Sequence, residues 1–295
     1  MEAGVLMLAA DPVGPSEAAG GVAAEAREHA RSHGLRLAVF AASEAWRARF
    51  AELGLRSLYL GDEAIVETAA FSLEGRPIRK VRQSMTRLRR AGYTAALTRL
   101  GDLAQPELAE LEALAERARG GQPEHGFAME MDGLRGEHQA DSLVLVARDD
   151  AGAARGLLHL VPCYGRSAMS LSLMRRDRDT PNGLGEFLVV EAIERLREQG
   201  IEEISLTFAT FGRWIRDPET QVQRALGRVV RVGDRWFQIE SLYRFNRKFS
   251  PRWEPRFLLY EGRLGLPRAA LAAMWAEGLL PKPSVTFGRR SAPPH

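Results

Sequence analysis

The stretch RPIRKVRQSMTRLRRAGY, residues 76–93, holds seven Arg or Lys and no acid, yet it sets Ile78, Val81, Met85 and Leu88 at steps of three, four and three. Those steps are helical, so one narrow face must bury while the rest stays cationic. The segment therefore demands an apolar layer on one side and water or an anion on the other. Pro77 stands where a first-turn proline is tolerated, and Gly92 closes the run. Like-charge pairs such as Arg76/Lys80 repel by a few tenths of a kcal/mol each, which favours an anionic partner over a merely solvated face. Arg76, Arg79, Lys80, Arg82, Arg87, Arg89 and Arg90 are the candidate phosphate ligands, toward an RNA backbone or an anionic lipid surface.

Around this helix the pattern alternates. VLMLA (5–9), LAVFA (37–41) and SLYL (57–60) read as short strands, with helices at about 17–33 and 44–53 between them. After the basic helix come a strand at YTAALTRL, an acidic helix at 105–119 and strand candidates at 142–148, 154–162 and 168–174, parted by the turn signals DDAGAA and YGRS. PNGLGEFLVVEAIERLREQG (181–200) is a loop feeding a helix, and IEEISLTFA is a strand. Further helix is expected at 236–248 and 266–277, a strand at 256–260, and a disordered tail.

Helix, three-stranded meander, helix and strand is the order of an acetyltransferase-like (GNAT) domain. The expected fold class is thus α/β (α+β), and the family resemblance carried by the motifs quoted below implies tandem acetyltransferase-like domains of which the first is incomplete. The units expected on that resemblance are a truncated half at 1–75, the basic connecting helix at 76–92, a catalytic domain at 93–280 and a tail at 281–295.

Composition narrows the function classes. Lys plus Arg exceeds Asp plus Glu by 41 − 38 = 3, so the charge information is local, in the cationic runs at 76–93 and 244–256. Cys163 is the single cysteine, which excludes an internal disulfide and a cysteine metal cluster and fits a reducing compartment. No segment approaches the roughly 20 apolar residues of a spanning helix, and the start lacks a basic n-region, so any membrane contact is expected to be peripheral. No His/Asp/Glu spacing points to a metal, and there is neither a Walker loop nor a Gly-x-Ser-x-Gly elbow.

An acetyl-CoA pyrophosphate loop would need Arg or Gln three residues before Gly183, where the chain has Thr180. Acetyl-CoA is therefore not expected, although the turn with Asn182 and Gly183 can still cradle an anion at a helix N-terminus. Arg175 and Arg176 lie where a strand ends, a usual place for site residues in α/β proteins. LYRFNRKFSPRWEPRFLLY (242–260) interleaves Tyr243 and Trp253 with Arg244, Lys248 and Arg256, a mixture suited to stacking on bases or lining a lipid-phosphate cleft, though such rings are also often core. His125 is an acid/base candidate by its pKa class, and a lone histidine is as readily structural.

Taken together, ADPVGP (10–15), ASEAWRARFAELGLRSLYLGDEAIVE (42–67), FSLEGRPIRKVRQSMTRLRRAGY (71–93), LMRRDRDTPNGLGEFLVV (173–190) and IESLYRFNRKFSPRWEPRF (239–257) resemble the catalytic domain of phosphatidylglycerol lysyltransferases, also called multiple peptide resistance factors. The resemblance implies transfer of an amino acid, lysine or alanine, from aminoacyl-tRNA to a hydroxyl of phosphatidylglycerol, with no cofactor, at the inner face of the cell membrane. It implies Lys248 as a cation at the reacting centre, then Arg175, with Glu240 and Tyr243 as further catalytic candidates. Substrate-binding candidates are Arg176, Asn182, Gly183, Ser172, Thr207, His125, Trp253 and Arg256. Because most catalytic domains of this family follow a multi-helix membrane domain, a separate membrane-embedded partner is a further expectation. Relatives generally carry Asp at the position of Ser172 and Asn at that of Thr207. The residues leave open a different acceptor, such as a peptidoglycan precursor or another lipid, and an inactive homologue that only binds tRNA or anionic membrane.

Overall fold

A computed structural model of the chain describes residues 3–14, 18–120, 134, 140–210, 235–262 and 264–277. Its strands are β1 (Val5–Ala9), β2 (Arg36–Ser43), β3 (Leu55–Glu67), β4 (Thr94–Arg99), β5 (Leu143–Arg148), β6 (Ala154–Pro162), β7 (Ala168–Arg176), β8 (Glu203–Thr210) and β9 (Arg252–Glu261). The helices are α1 (Ala19–Ser32), α2 (Glu44–Glu52), α3 (Arg79–Arg90), α4 (Gln105–Arg119), α5 (Leu184–Glu198), α6 (Arg235–Asn246) and α7 (Leu266–Ala276). All nine strands join one mixed sheet, in the order β1-β2-β9-β3-β8-β7-β6-β5-β4. His125 and the tail at 281–295 lie outside the described residues, as do the side chains of Thr207 and Glu240.

The β5–β6–β7 meander, α5 and β8 follow the acetyltransferase-like order closely, and α4 spans the expected residues. At its start the Glu107 carboxylate accepts from the Ala104 N–H at 3.1 Å, and Gly120 ends it in the left-handed region, φ 63°. The strand expected at 57–60 is a correction, because β3 runs through Gly61-Asp62-Glu63 for 13 residues. The two acids are enclosed between β9 and β8, where Glu63 accepts from Ser205 Oγ at 2.5 Å and from Arg256 Nε at 2.7 Å. The strand expected at 256–260 begins at Arg252 and lies between β2 and β3.

Alternation along β9 sorts the two faces of the sheet. Trp253, Phe257 and Leu259 point to the side covered by α1, α2, α3 and α5, whereas Leu258 and Tyr260 point to the side covered by α7. The helix α4 packs on Val144, Val146, Leu157 and Leu173, on that second side. The largest core lies under α3 and α5. Ile78, Val81, Met85 and Leu88 are all buried there beside Phe187, Leu188 and Phe249. Burying each such side chain contributes roughly 1.5–3 kcal/mol, while like-charge pairs such as Arg79/Arg82 and Arg87/Arg90 cost a few tenths each. Packing wins, and the cations are carried along on the helix's outer face.

Candidate active site

The sheet opens at one place. β7 and β8 pair in parallel only over Ala168–Ser170 with Glu203–Ser205, then part, although β7 continues to Arg176 and β8 to Thr210. Both strands are irregular where they part. On β7, Leu171 and Leu173 oppose the consecutive residues Leu160 and His159, so Ser172 is the extra residue of a bulge. On β8 the register against β3 slips between Ser205 and Phe208, the stretch that contains Thr207. Bulges of this kind re-aim side chains and end pairing, and in open α/β sheets ligands bind beyond the carboxyl ends of such strands. Ser172 and Thr207, both named as substrate-binding candidates from the resemblance, therefore flank one gap.

The helix α5 starts at that gap. Gly183 precedes it with φ 98°, and a Cβ there would lie 2.4 Å from Ser84 Oγ, so glycine is required both by the backbone and by the closeness of α3. Arg87 of α3 donates to the carbonyl oxygen of Asn182, and the loop between β7 and α5 is thereby fastened to the basic helix. The first backbone N–H groups of α5 have no partner inside the helix and carry its positive dipole end.

A third element closes the corner. The end of α6 and the 3-10 turn Arg247–Phe249 lie across the opening. Phe245 packs against Gly185, whose added Cβ would lie 3.4 Å from its ring. Lys248 Nζ reaches Glu186 Oε1 at 2.6 Å and stands 5.3 Å from the Phe245 ring centroid. Asn246, almost wholly buried, donates from Nδ2 to the Leu206 carbonyl oxygen at 3.0 Å, capping a β8 carbonyl near the bulge. Tyr243 and Trp253 stack beside it, with centroids 4.7 Å apart and planes 21° apart.

The expected cations divide into two groups. Arg82 donates to the carbonyl oxygens of Leu73 and Gly75, Arg87 to Asn182, and Arg89 to Glu191 at 2.9 Å and Glu194 at 3.2 Å. The hydrogen bond to Glu191, whose carboxylate is itself buried, raises the Arg89 pKa further above its ordinary value. The side chains of Arg76, Arg79, Lys80 and Arg90 make no ion pair or hydrogen bond among the described residues and are exposed. An open cleft of about 450 Å³ runs along this face, lined by Arg82, Gln83, Thr86, Arg87 and Arg90.

Of the other expected residues, Arg175 is half-buried near the end of β7 and Arg176 is exposed beside it. Arg256 is not brought to the gap. It lies three residues from Trp253, on the opposite face of β9, where Glu63 holds it. Sequence reasoning passed over Glu186, Ser84 and Asn246. The one available signal was Asn246 within the FNRKF run, and the pairing of Lys248 with Glu186 spans 62 residues of chain. Among the described residues no three His, Cys, Asp or Glu gather as a metal site, and no helix is long and apolar enough to cross a membrane.

A sheet parted at one parallel pair, with a crossover helix beginning at the gap, defines an acetyltransferase-like α/β domain. The particular family follows from comparison with known proteins, since the C-terminal-domain model of phosphatidylglycerol lysyltransferase matches residues 1–260. The chain belongs to that family. It is 38% identical to the lysylphosphatidylglycerol biosynthesis bifunctional protein LysX of Rhodococcus jostii (strain RHA1), over 98% of this chain and 26% of the relative. Against LysX of Mycobacterium tuberculosis (strain ATCC 25618 / H37Rv) the figures are 37%, 99% and 25%. The chain thus spans about a quarter of the length of the curated relatives it matches. In fold it is similar to L-PGS from Bacillus licheniformis, with a TM-score of 0.77 at 22% identity over 93% of this chain and 83% of that one.

Proposed function

We propose that this domain transfers an amino acid, lysine in the first place, from aminoacyl-tRNA to a hydroxyl of phosphatidylglycerol at the inner surface of the cell membrane. The observation that carries the reading is the corner where Lys248, held by Glu186, meets the start of α5 at the gap between β7 and β8. Family membership and the names of the LysX relatives supply lysine and the lipid.

The reaction is acyl transfer from an activated ester. The lipid hydroxyl oxygen bonds to the aminoacyl carbonyl carbon, negative charge grows on the carbonyl oxygen, and the bond to the ribose oxygen breaks. The hydroxyl proton ends on that ribose oxygen, so no oxidant, metal or acetyl-CoA enters the balance. Lys248 and the α5 N–H groups stabilise the oxyanion. Arg175 and Arg176 are placed for the lipid phosphate or the tRNA terminus, and the exposed Arg76, Arg79, Lys80 and Arg90 for longer-range contacts to the polyanions. A membrane-embedded partner would bring the lipid to the same side.

The test is transfer of radiolabelled lysine from charged tRNA into the organic phase in the presence of phosphatidylglycerol liposomes. Label in a lipid spot supports the reading. Absence of label, with tRNA and liposome binding intact, would overturn it in favour of another acceptor or a binding role.

A further inference from the structure

Asn246 is 1% exposed, and while its Nδ2 donates to the Leu206 carbonyl oxygen, its Oδ1 is buried with no hydrogen-bond partner. Buried acceptors in native proteins are nearly always satisfied, so one without a donor beside a strand gap calls for a donor from a ligand. His159 and Arg195 also carry buried atoms of this kind among the described residues, and both lie elsewhere. His159 is on the face of the sheet that α4 covers, next to Val144 and Leu173, and Arg195 Nε is near the far end of α5. Asn246 stands between the β8 bulge and the first turn of α5, since its neighbours Phe245 and Lys248 touch Gly185 and Glu186.

We propose that Asn246 Oδ1 accepts a hydrogen bond from the α-ammonium of the incoming aminoacyl group, which makes Asn246 a positioning and specificity residue for the donor. The inference rests on the aminoacyl-transfer reading and adds to it the subsite for the amino group. Carbonyl, ester and phosphate oxygens are acceptors and cannot satisfy Oδ1. The attacking hydroxyl must lose its proton, and an amide oxygen is too weak a base to take it. The α-ammonium keeps its three N–H donors throughout the reaction and lies one carbon from the reacting carbonyl. Charge placement agrees. The start of α5 favours the growing oxyanion and disfavours a cation, so the ammonium belongs on the other side, toward the β8 edge where Leu206 turns its carbonyl to Asn246.

The experiment compares the whole chain and its variants on two donors, tRNA charged with lysine and tRNA charged with 6-aminohexanoate, which is lysine without the α-amino group. The readout is kcat/KM for label entering phosphatidylglycerol. The wild type is expected to prefer the lysyl donor by about 10–100-fold, the range of a hydrogen bond to a charged group. In Asn246→Leu the ratio of the lysyl to the aminohexanoyl kcat/KM should fall by about that same factor, whatever happens to the two rates together. Asn246→Asp keeps the acceptor but forfeits the bond to Leu206, and it should retain the preference. If both variants lower both donors equally with the preference intact, Asn246 is only a brace for β8 and the inference falls. If the wild type moves neither donor, the transfer reading fails first and takes this inference with it.

Discussion

Among the described residues stand two parallel strand–helix–strand units, and they differ in one respect that matters. β1 and β2 pair without interruption from Val5↔Arg36 to Ala9↔Phe40, whereas β7 and β8 pair over three residues and part. The first unit buries Leu37, Ala38, Val39 and Phe40 between its helices, and none of the buried polar or charged side chains described falls within residues 5–43. Around the second stand Ser84, His159, Glu191, Ser205 and Asn246, all buried. One connection between parallel strands can thus be filled with apolar side chains and serve as scaffold, or be held open and lined with hydrogen-bonding groups. The difference lies in the register slips and in α6 lying across the opening, since both units are built from the same elements.

If the open pair is where chemistry happens, Lys248→Ala should lower lipid labelling by about 10²–10³-fold, the usual effect of removing one oxyanion donor. Its melting curve should stay within about 1 kcal/mol of the wild type, because a partly exposed ion pair contributes little. A wild-type rate would take Lys248 out of the reaction.

The next effect is on stability against pH. Burial lowers the His159 pKa from 6.5 to about 4. Between those values the unfolded chain binds a proton that the folded chain refuses, so stability is intact above pH 6.5 and declines as pH falls toward 4. The loss reaches about 3 kcal/mol and then levels off. His159→Leu should remove that share of the decline in denaturant titrations at pH 7 and pH 4, and equal slopes in both proteins would contradict it.

Two glycines test the comparison directly. Gly183→Ala forces a left-handed alanine against Ser84 and should destabilise by about 2–3 kcal/mol. Gly20→Ala in α1, where an added Cβ meets nothing within 4 Å, should stabilise by about 0.5–1 kcal/mol. Equal signs would mean that the start of α5 is not fitted to α3 as described. The smallest effect on folding is expected for Arg79→Glu, Lys80→Glu and Arg90→Glu together, within about 0.5 kcal/mol of the wild type. The same triple variant should flatten the salt dependence of tRNA binding, and an unchanged slope would return these cations to plain solvation.

How much of this was legible depended on range. The stripe on α3 and the meander of β5 to β7 were readable because helical period and turn signals are local. The expected strand at 57–60 stopped short of Gly61-Asp62-Glu63, because what accommodates those acids inside the sheet, Ser205 and Arg256, comes from strands far along the chain. The site was legible in part. Lys248, Arg175, Ser172 and Thr207 were picked out by resemblance, and the last two lie at the slips that open the gap. That Arg82, Arg87 and Arg89 are spent on holding α3 to its neighbours could not be read, since their partners include main-chain carbonyls and a buried carboxylate about a hundred residues away.

The insertion of β9 between β2 and β3 bears on how the polypeptide is made. Those two strands are joined by little more than α2, yet neither can complete its pairing until residues 252–261 have been synthesised. At about 5–20 residues per second, the wait for roughly 200 residues is on the order of ten to forty seconds, during which unpaired edges face water or a chaperone. A stop codon ahead of Arg252 would therefore unravel the beginning of the chain along with its end.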